Sequence, residues 1–242
     1  MIYALYRIHY GLDFLEKSIN SIIDDVDMIF IYWSKQPWYK GCKDLPPMNE
    51  NVKEYCKRWN GKVNVIEREF DLPSGQYTQM YADMITGHTI PKKVLMMEPD
   101  MVWDKEQLKK ALELTDPEIS FKQIEFWKNE EWYIKRTSGR ERPGPTLYNQ
   151  APGLTGKGTA SNQQLVNNDI YCYNYGFCLS KEVMKYKFEV AVQSSKYYKD
   201  SIPSKDWYEK KWLNWTPETE DLEMSEAHKH YIKKALPYGT KD

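Results

Sequence analysis

Glu98-Pro99-Asp100 is the segment of this 242-residue sequence whose residue types and spacing are best suited to chemistry. The two acids stand two residues apart, immediately after the apolar run Val94-Leu95-Met96-Met97. Along an extended chain that spacing points both side chains the same way. Two convergent carboxylates make a hard oxygen site that attracts Mg²⁺ or Mn²⁺. Such a cation would hold a diphosphate and neutralise the charge that grows on it as it departs. Pro99 stiffens the turn between the acids. The competing reading is a pair of solvated loop acids, and it is the position of the pair along the chain that weighs against it.

That position follows from the elements upstream. Ile2 to Ile8 is a short apolar run that reads as a first strand. A helix follows, with Asp13 as its cap and Glu16 three residues on. Phe14, Leu15, Ser18, Ile19, Ile22 and Ile23 share one face of it. Asp27 to Trp33 is a second strand, a continuous apolar run after its first residue, as in a sheet buried on both sides. Residues 34 to 51 hold Pro37, Gly41, Pro46 and Pro47 and read as a loop. A short helix over Val52 to Trp59 and a third strand over Val63 to Ile66 come next. Ser74 then caps a helix with Tyr77, Met80, Tyr81, Met84 and Ile85 at helical spacing. Val94 to Met97 is the fourth strand. Asp104 opens another helix with Gln107 in the capping-box position, and Pro117 closes it.

Strand and helix thus alternate over about the first 115 residues. That order predicts an α/β fold: a mostly parallel sheet with helices on both faces. Ligands of such sheets lie beyond the carboxyl ends of the strands, which is where Glu98 and Asp100 fall. Ser74-Gly75-Gln76-Tyr77 opens a helix at the same edge. Its free N–H groups either help to hold a nucleotide, through Gln76, or serve only as a plain cap.

The second half has a different texture. Ile119 to Phe126, Trp132 to Ile134 and Ile170 to Leu179 read as strands. Gly139 to Asn162 is rich in Gly, Pro, Ser and Thr and reads as a long mobile loop that closes over a bound ligand. Ser204 to Pro237 holds Trp207, Trp212, Trp215 and His228 and is expected to wrap back over the sheet.

Composition bounds the function classes. With 34 basic and 35 acidic residues interspersed, the net charge is −1 and nothing suggests the clustered basic face that nucleic acid needs, so it is not an expected partner. The 19 tyrosines and 9 tryptophans offer apolar faces with polar tips, which suits sugar or base stacking as well as core packing. The four cysteines show neither C-x-x-C nor zinc spacing and read as reduced thiols of a cytoplasmic protein. No run of eighteen apolar residues exists, so no transmembrane segment is expected, and Arg7 and His9 interrupt the N-terminal apolar stretch.

The order of a first strand, a helix, Asp27 to Trp33, and then Val94-Leu95-Met96-Met97-Glu98-Pro99-Asp100-Met101-Val102-Trp103 resembles the GT-A glycosyltransferases, particularly family-2-like enzymes, whose strand ends in Asp-x-Asp. This chain carries Glu at the first acid. The resemblance implies a single GT-A domain over residues 1–242, with a nucleotide-sugar-binding half to about residue 115 and an acceptor half with a C-terminal segment from 116. It implies that Asp100 ligates metal, and that Glu98 meets ribose or metal-bound water. Arg7, at the end of the first strand, would line the nucleotide pocket. Trp33 and Ser34, at the end of the second, would stand where the base is held, although no acid closes that strand. Asn174-Tyr175-Gly176-Phe177 resembles the acceptor-side strand, where a small residue leaves room for sugar. Asp206 falls where many relatives place the base that takes the acceptor hydroxyl proton in an inverting transfer. Glu209, Asp169 and Glu220 stay open for that role, and a retaining enzyme needs no such base. Relatives often supply a C-terminal histidine to the metal. His228 is the choice over His230: in a helix the two point about 200° apart, and His228 lies one turn from Met224 and Tyr231.

The expectation is a glycosyltransferase that moves a sugar from a nucleotide-diphosphate donor to a hydroxyl of a glycan or small acceptor, assisted by Mn²⁺ or Mg²⁺. Two alternatives stand beside it. A sugar-phosphate nucleotidyltransferase would start with a Gly-rich loop, where only Gly11 is found here. A non-catalytic glycan-binding protein would be antiparallel β, against the alternation described.

Overall fold

The computed structural model describes residues 1–37, 42, 45–47, 51–69, 76–136, 143–149, 165–195, 208–216, 222–223 and 231–237. Three parallel strands are built as the hydrophobic pattern requires. In β1 (Ile2–Ile8), Ala4, Tyr6 and Ile8 face one apolar layer and Tyr3 and Leu5 the other. β2 (Met28–Trp33) divides Ile29, Ile31 and Trp33 from Phe30 and Tyr32 in the same way. β4 (Lys93–Met97) divides Leu95 and Met97 from Val94 and Met96. Side chains alternate across a strand, so a continuous apolar run serves a sheet covered on both faces.

Helices supply both covers. On one face lie α1 (Leu15–Asn20), α2 (Val52–Cys56) and α4 (Lys105–Glu113), which bury Leu15, Ile19, Val52, Cys56, Leu108 and Ala111. On the other lies α3 (Gln76–Ile85), with Met80, Tyr81 and Met84 buried. The Tyr32 hydroxyl donates to the Met80 carbonyl at 2.6 Å and fixes α3 to the sheet. Two capping details differ from expectation. Helix α1 has no side-chain cap; Asp13 instead accepts from the Ser180 N–H at 2.9 Å, a long-range tie that outcompetes the local bond. Asp104 caps α4 through the Glu106 and Gln107 N–H groups, but the Gln107 side chain accepts from the Tyr171 N–H rather than closing a capping box.

With β3 (Val63–Glu67) the parallel order is β4-β1-β2-β3. The chain moves outward from β1 to β2 and β3, then returns to place β4 on the opposite side of β1. The crevice between the ends of β1 and β4 is therefore a topological switch point, where α/β sheets hold ligands.

The second half extends the sheet with antiparallel pairings. β6 (Glu118–Trp127) pairs with β7 (Asn129–Arg136), β8 (Pro143–Tyr148) and, in parallel, β9 (Leu165–Phe177). β5 (Met101–Val102) pairs antiparallel with β9. Strand β8 corrects the expected loop over 139–162, for it lies between β4 and β6 with Pro145 to Tyr148 buried. Its Pro143-Gly144-Pro145 start coincides with a register shift in β6 between Ser120 and Lys122. A proline there forfeits no regular ladder bond, and a Cβ on Gly144 would meet the Phe121 carbonyl at 2.8 Å. The residues that look like a loop are thus those a bulge needs. The rest of that expected loop lies outside the described residues.

Helix α5 (Lys181–Ser195) follows β9 and had no counterpart in the sequence reading. It packs Val183, Met184 and Phe188 against Trp127, Phe177 and Trp212. Trp212 lies in a π-helical turn over Tyr208–Leu213 and donates to the Phe177 carbonyl at 2.8 Å. Further on, β10 (Leu222–Glu223) and β11 (Tyr231–Pro237) add to the sheet through β7. The C-terminal part therefore extends the sheet edge rather than only crossing it, and Tyr231 begins a strand rather than continuing a helix.

Candidate functional site

Glu98, Pro99 and Asp100 leave β4 as a turn, closed by the Met101 N–H donating to the Glu98 carbonyl at 3.1 Å. Proline is pre-set for the second position of such a turn. The acids therefore sit at the first and third corners of a turn, not along an extended strand as expected. They still reach one cavity, which Arg7, His9, Gly11, Asn174, Gly176 and Lys187 also line; its volume is about 200 Å³.

Three elements converge there. β1 brings Arg7, whose guanidinium pairs with Glu98 at 3.3 Å across the switch point. The pair is 15% and 33% exposed, so it bounds the cavity rather than filling the core. β9 is drawn alongside the turn by its pairing with β5 and by the Tyr175 N–H, which donates to the Asp100 carbonyl at 2.8 Å. This sets Gly176 against Asp100: a Cβ on Gly176 would come within 2.9 Å of Asp100 Oδ2, 2.8 Å of Asn174 Oδ1 and 3.0 Å of Lys187 Nζ. The missing side chain keeps the space at the Asp100 carboxylate open. α5 brings Lys187, whose ammonium donates to the Gly176 carbonyl at 2.7 Å and stands 3.9 Å from Asp100 Oδ2.

Behind this layer the polar groups are fixed. His9 is buried, and its Nδ1–H donates to the Ser34 carbonyl at 2.9 Å while Nε2 accepts from the Tyr186 hydroxyl at 3.0 Å. A carbonyl can only accept, which sets the tautomer. Burial pulls the His9 pKa down to about 4, against the raising effect of the Ser34 bond, so the imidazole is neutral near pH 7. Burial likewise pushes the Cys178 thiol up to about 12, with the Glu130 and Asp100 charges adding to it, and raises Cys172. Neither thiol is a ready nucleophile.

The expected site residues do not all come together. Arg7, Glu98 and Asp100 meet at the cavity. Trp33 and Ser34 are buried and do not line it: Trp33 packs in the core with the Lys35 ammonium 5.2 Å from its ring, and the Ser34 hydroxyl donates to the Gln36 carbonyl at 2.6 Å. Gln76 begins α3 in backbone. Asp206, Glu220, His228 and His230 lie outside the described residues. Asp169 and Glu209 are exposed, and neither lines the cavity. Sequence reasoning missed Lys187 and His9. Lys187 had a legible signal: it interrupts the apolar stripe Val183, Met184, Tyr186, Phe188 and Val190.

The carboxylates suit a hard divalent ion. Both are oxygen donors, and Gly176 leaves Asp100 an open approach. Among the described residues no group of three potential ligands forms. A magnesium-like ion needs no more than one or two carboxylates, because substrate phosphates and water complete its shell. Among the described residues no helix is long and apolar enough to cross a membrane.

No known protein-family profile matches the chain, and no curated protein matches it in sequence. Among solved structures it is similar to TarS 1-349 of S. aureus, at 12% identity and a TM-score of 0.40 over 88% of this chain and 70% of that one. It is similar to the inositol-1-phosphate CTP transferase of T. maritima, at 9% identity and a TM-score of 0.43 over 80% and 96%. A third similar structure is GalNAc-T7 with UDP, GalNAc and Mn²⁺, at 11% identity and a TM-score of 0.40 over 74% of this chain and 43% of that one.

Proposed function

We propose that this chain is a GT-A-type glycosyltransferase that moves a sugar from a nucleoside-diphosphate donor to a hydroxyl of a glycan or small acceptor. One observation carries the reading: Arg7, Glu98 and Asp100 line a single cavity at the switch point between β1 and β4, and Gly176 keeps the Asp100 carboxylate approachable. An acidic pair beside a fixed cation at the carboxyl edge of a parallel sheet suits a diphosphate with its counter-ion.

In this reading Asp100 and Glu98 hold Mn²⁺ or Mg²⁺, which would supply Lewis-acid stabilisation of the departing diphosphate. Arg7 orients the donor from the β1 side, and its pairing with Glu98 holds that carboxylate at the rim. The neutral His9, bonded on both nitrogens, fixes the end of β1 without adding charge. Asn174 and Gly176 shape the acceptor side. Asp206 is the proposed base for the acceptor hydroxyl, because it precedes the turn over Tyr208–Leu213 that docks on the end of β9. His228 is the proposed further metal ligand, on its place in the sequence alone.

A hydrolysis screen across nucleotide sugars with Mn²⁺ tests the proposal. Release of a nucleoside diphosphate from at least one donor is expected, and Asp100→Asn should abolish it. Turnover of nucleoside triphosphate with a sugar phosphate, and none of any nucleotide sugar, would replace glycosyl transfer with nucleotidyl transfer.

A further inference from the structure

We propose that Lys187 binds the diphosphate of the donor, as the side-chain cation on the acceptor side of the cavity; this rests on the donor site proposed above. Lys187 is a charged residue on the inward face of α5. Its exposed neighbours on that helix are Lys181, Glu182, Lys185 and Glu189, while Val183, Met184, Tyr186, Phe188 and Val190 are buried. Its side chain is 27% exposed, and the exposed part lines the cavity that holds Arg7, Glu98 and Asp100.

The ammonium is held but not saturated. It donates to the Gly176 carbonyl at 2.7 Å, which aims the head group. Asp100 Oδ2, at 3.9 Å, attracts it but lies beyond hydrogen-bond distance. An ammonium carries three donors, so among the described residues two remain for a ligand in the cavity. Partly withdrawing a lysine from water for one carbonyl bond, one loose ion pair and the face of the Phe177 ring, 5.3 Å from the ammonium, returns little stability. A phosphate oxygen would complete its set, and lysine commonly binds phosphate as a point charge.

The charges at the cavity support the same assignment. Glu98 and Asp100 balance Arg7 and Lys187. A divalent cation on the carboxylates leaves a surplus of two positive charges, which is what the diphosphate of a nucleotide sugar neutralises. Without Lys187 the loaded site is left one charge short. Arg7 reaches Glu98 from β1 and Lys187 reaches Asp100 from α5, one cation at each acid of the turn and both lining one cavity, so the two can share one diphosphate.

The test titrates UDP, GDP, CDP and ADP into the full chain with Mn²⁺ by calorimetry, then repeats the tightest one and its parent nucleoside on Lys187→Ala and Lys187→Arg. The nucleosides are followed by ligand-observed NMR. Lys187→Ala should weaken the diphosphate about tenfold or more, the loss expected of one charge-assisted bond. The nucleoside should be unaffected, and Lys187→Arg should recover much of the loss. Equal loss for nucleoside and diphosphate would make Lys187 a packing residue and overturn the assignment. Tight diphosphate binding undiminished in Lys187→Ala would overturn it while leaving the donor site standing. No binding of any nucleoside diphosphate by the unaltered chain would overturn both.

Discussion

Replacing Gly176 with alanine separates what the fold needs from what the site needs. The three atoms a Cβ would crowd, at 2.8 to 3.0 Å, are all side-chain ends: Asn174 Oδ1, Asp100 Oδ2 and Lys187 Nζ. None of these three is a backbone atom. Asn174 has little room to yield, because its Nδ2 donates to Gln123 Oε1 at 2.8 Å and its Oδ1 accepts from the Gly176 N–H at 2.8 Å. Asp100 and Lys187 must therefore rotate away, which removes the open carboxylate and redirects the ammonium. Displacing one charge-assisted partner costs about 1.5–3 kcal/mol of binding, or roughly 10- to 150-fold in Kd. The fold loses about 1 kcal/mol or less, since flexible ends absorb the overlap; for a chain of this size that is a fall in Tm of about 2–4 °C. Calorimetric titration of nucleoside diphosphate with Mn²⁺, beside a thermal melt, reads both quantities. Binding by Gly176→Ala equal to that of the unaltered chain would refute the argument, because it would mean that the space at Asp100 is not used.

Other expectations follow from single residues. Folding lowers the His9 pKa to about 4 from about 6.5 in an unfolded chain, so between these values the unfolded state binds more protons. Its contribution, on the order of 3 kcal/mol, is complete above about pH 6.5 and is lost as the pH falls toward about 4; denaturant titrations should show that slope, and His9→Gln should flatten it. Asp104→Ala removes the α4 cap and should cost about 1 kcal/mol in the same assay. Because burial raises both Cys172 and Cys178, thiol reagents should label them slowly at neutral pH and rapidly in denaturant. Limited proteolysis should spare residues 143–149, which stand inside the sheet.

The parallel half of the fold was legible because its signal is local. Short apolar runs such as Ile2 to Tyr6 and Val94 to Met97 admit few readings, and Met80, Tyr81 and Met84 repeat at the helical period. The errors arose where a distant partner decides. Asp13 looks like a cap but is claimed by Ser180. Pro143-Gly144-Pro145 looks like a loop, because composition does not reveal a register shift in a strand about twenty residues away. The acids at positions 98 and 100 were found from residue type and place, and Pro99 marked the turn, but their convergence was argued from an extended chain rather than from the corners of that turn. Lys187 and His9 reach the cavity only through α5 packing and the end of β1. Of these, the lysine within an apolar helical stripe was the signal available in the sequence alone.

The proposed role of Asp100 in a cation-assisted diphosphate site can be read by titrating UDP, GDP, CDP and ADP, with and without Mn²⁺, into the unaltered chain and Asp100→Asn. At least one nucleoside diphosphate should bind the unaltered chain about tenfold or more tightly with Mn²⁺, and Asp100→Asn should erase this difference while remaining folded. Affinities that do not respond to Mn²⁺, or a response that survives in Asp100→Asn, would contradict it.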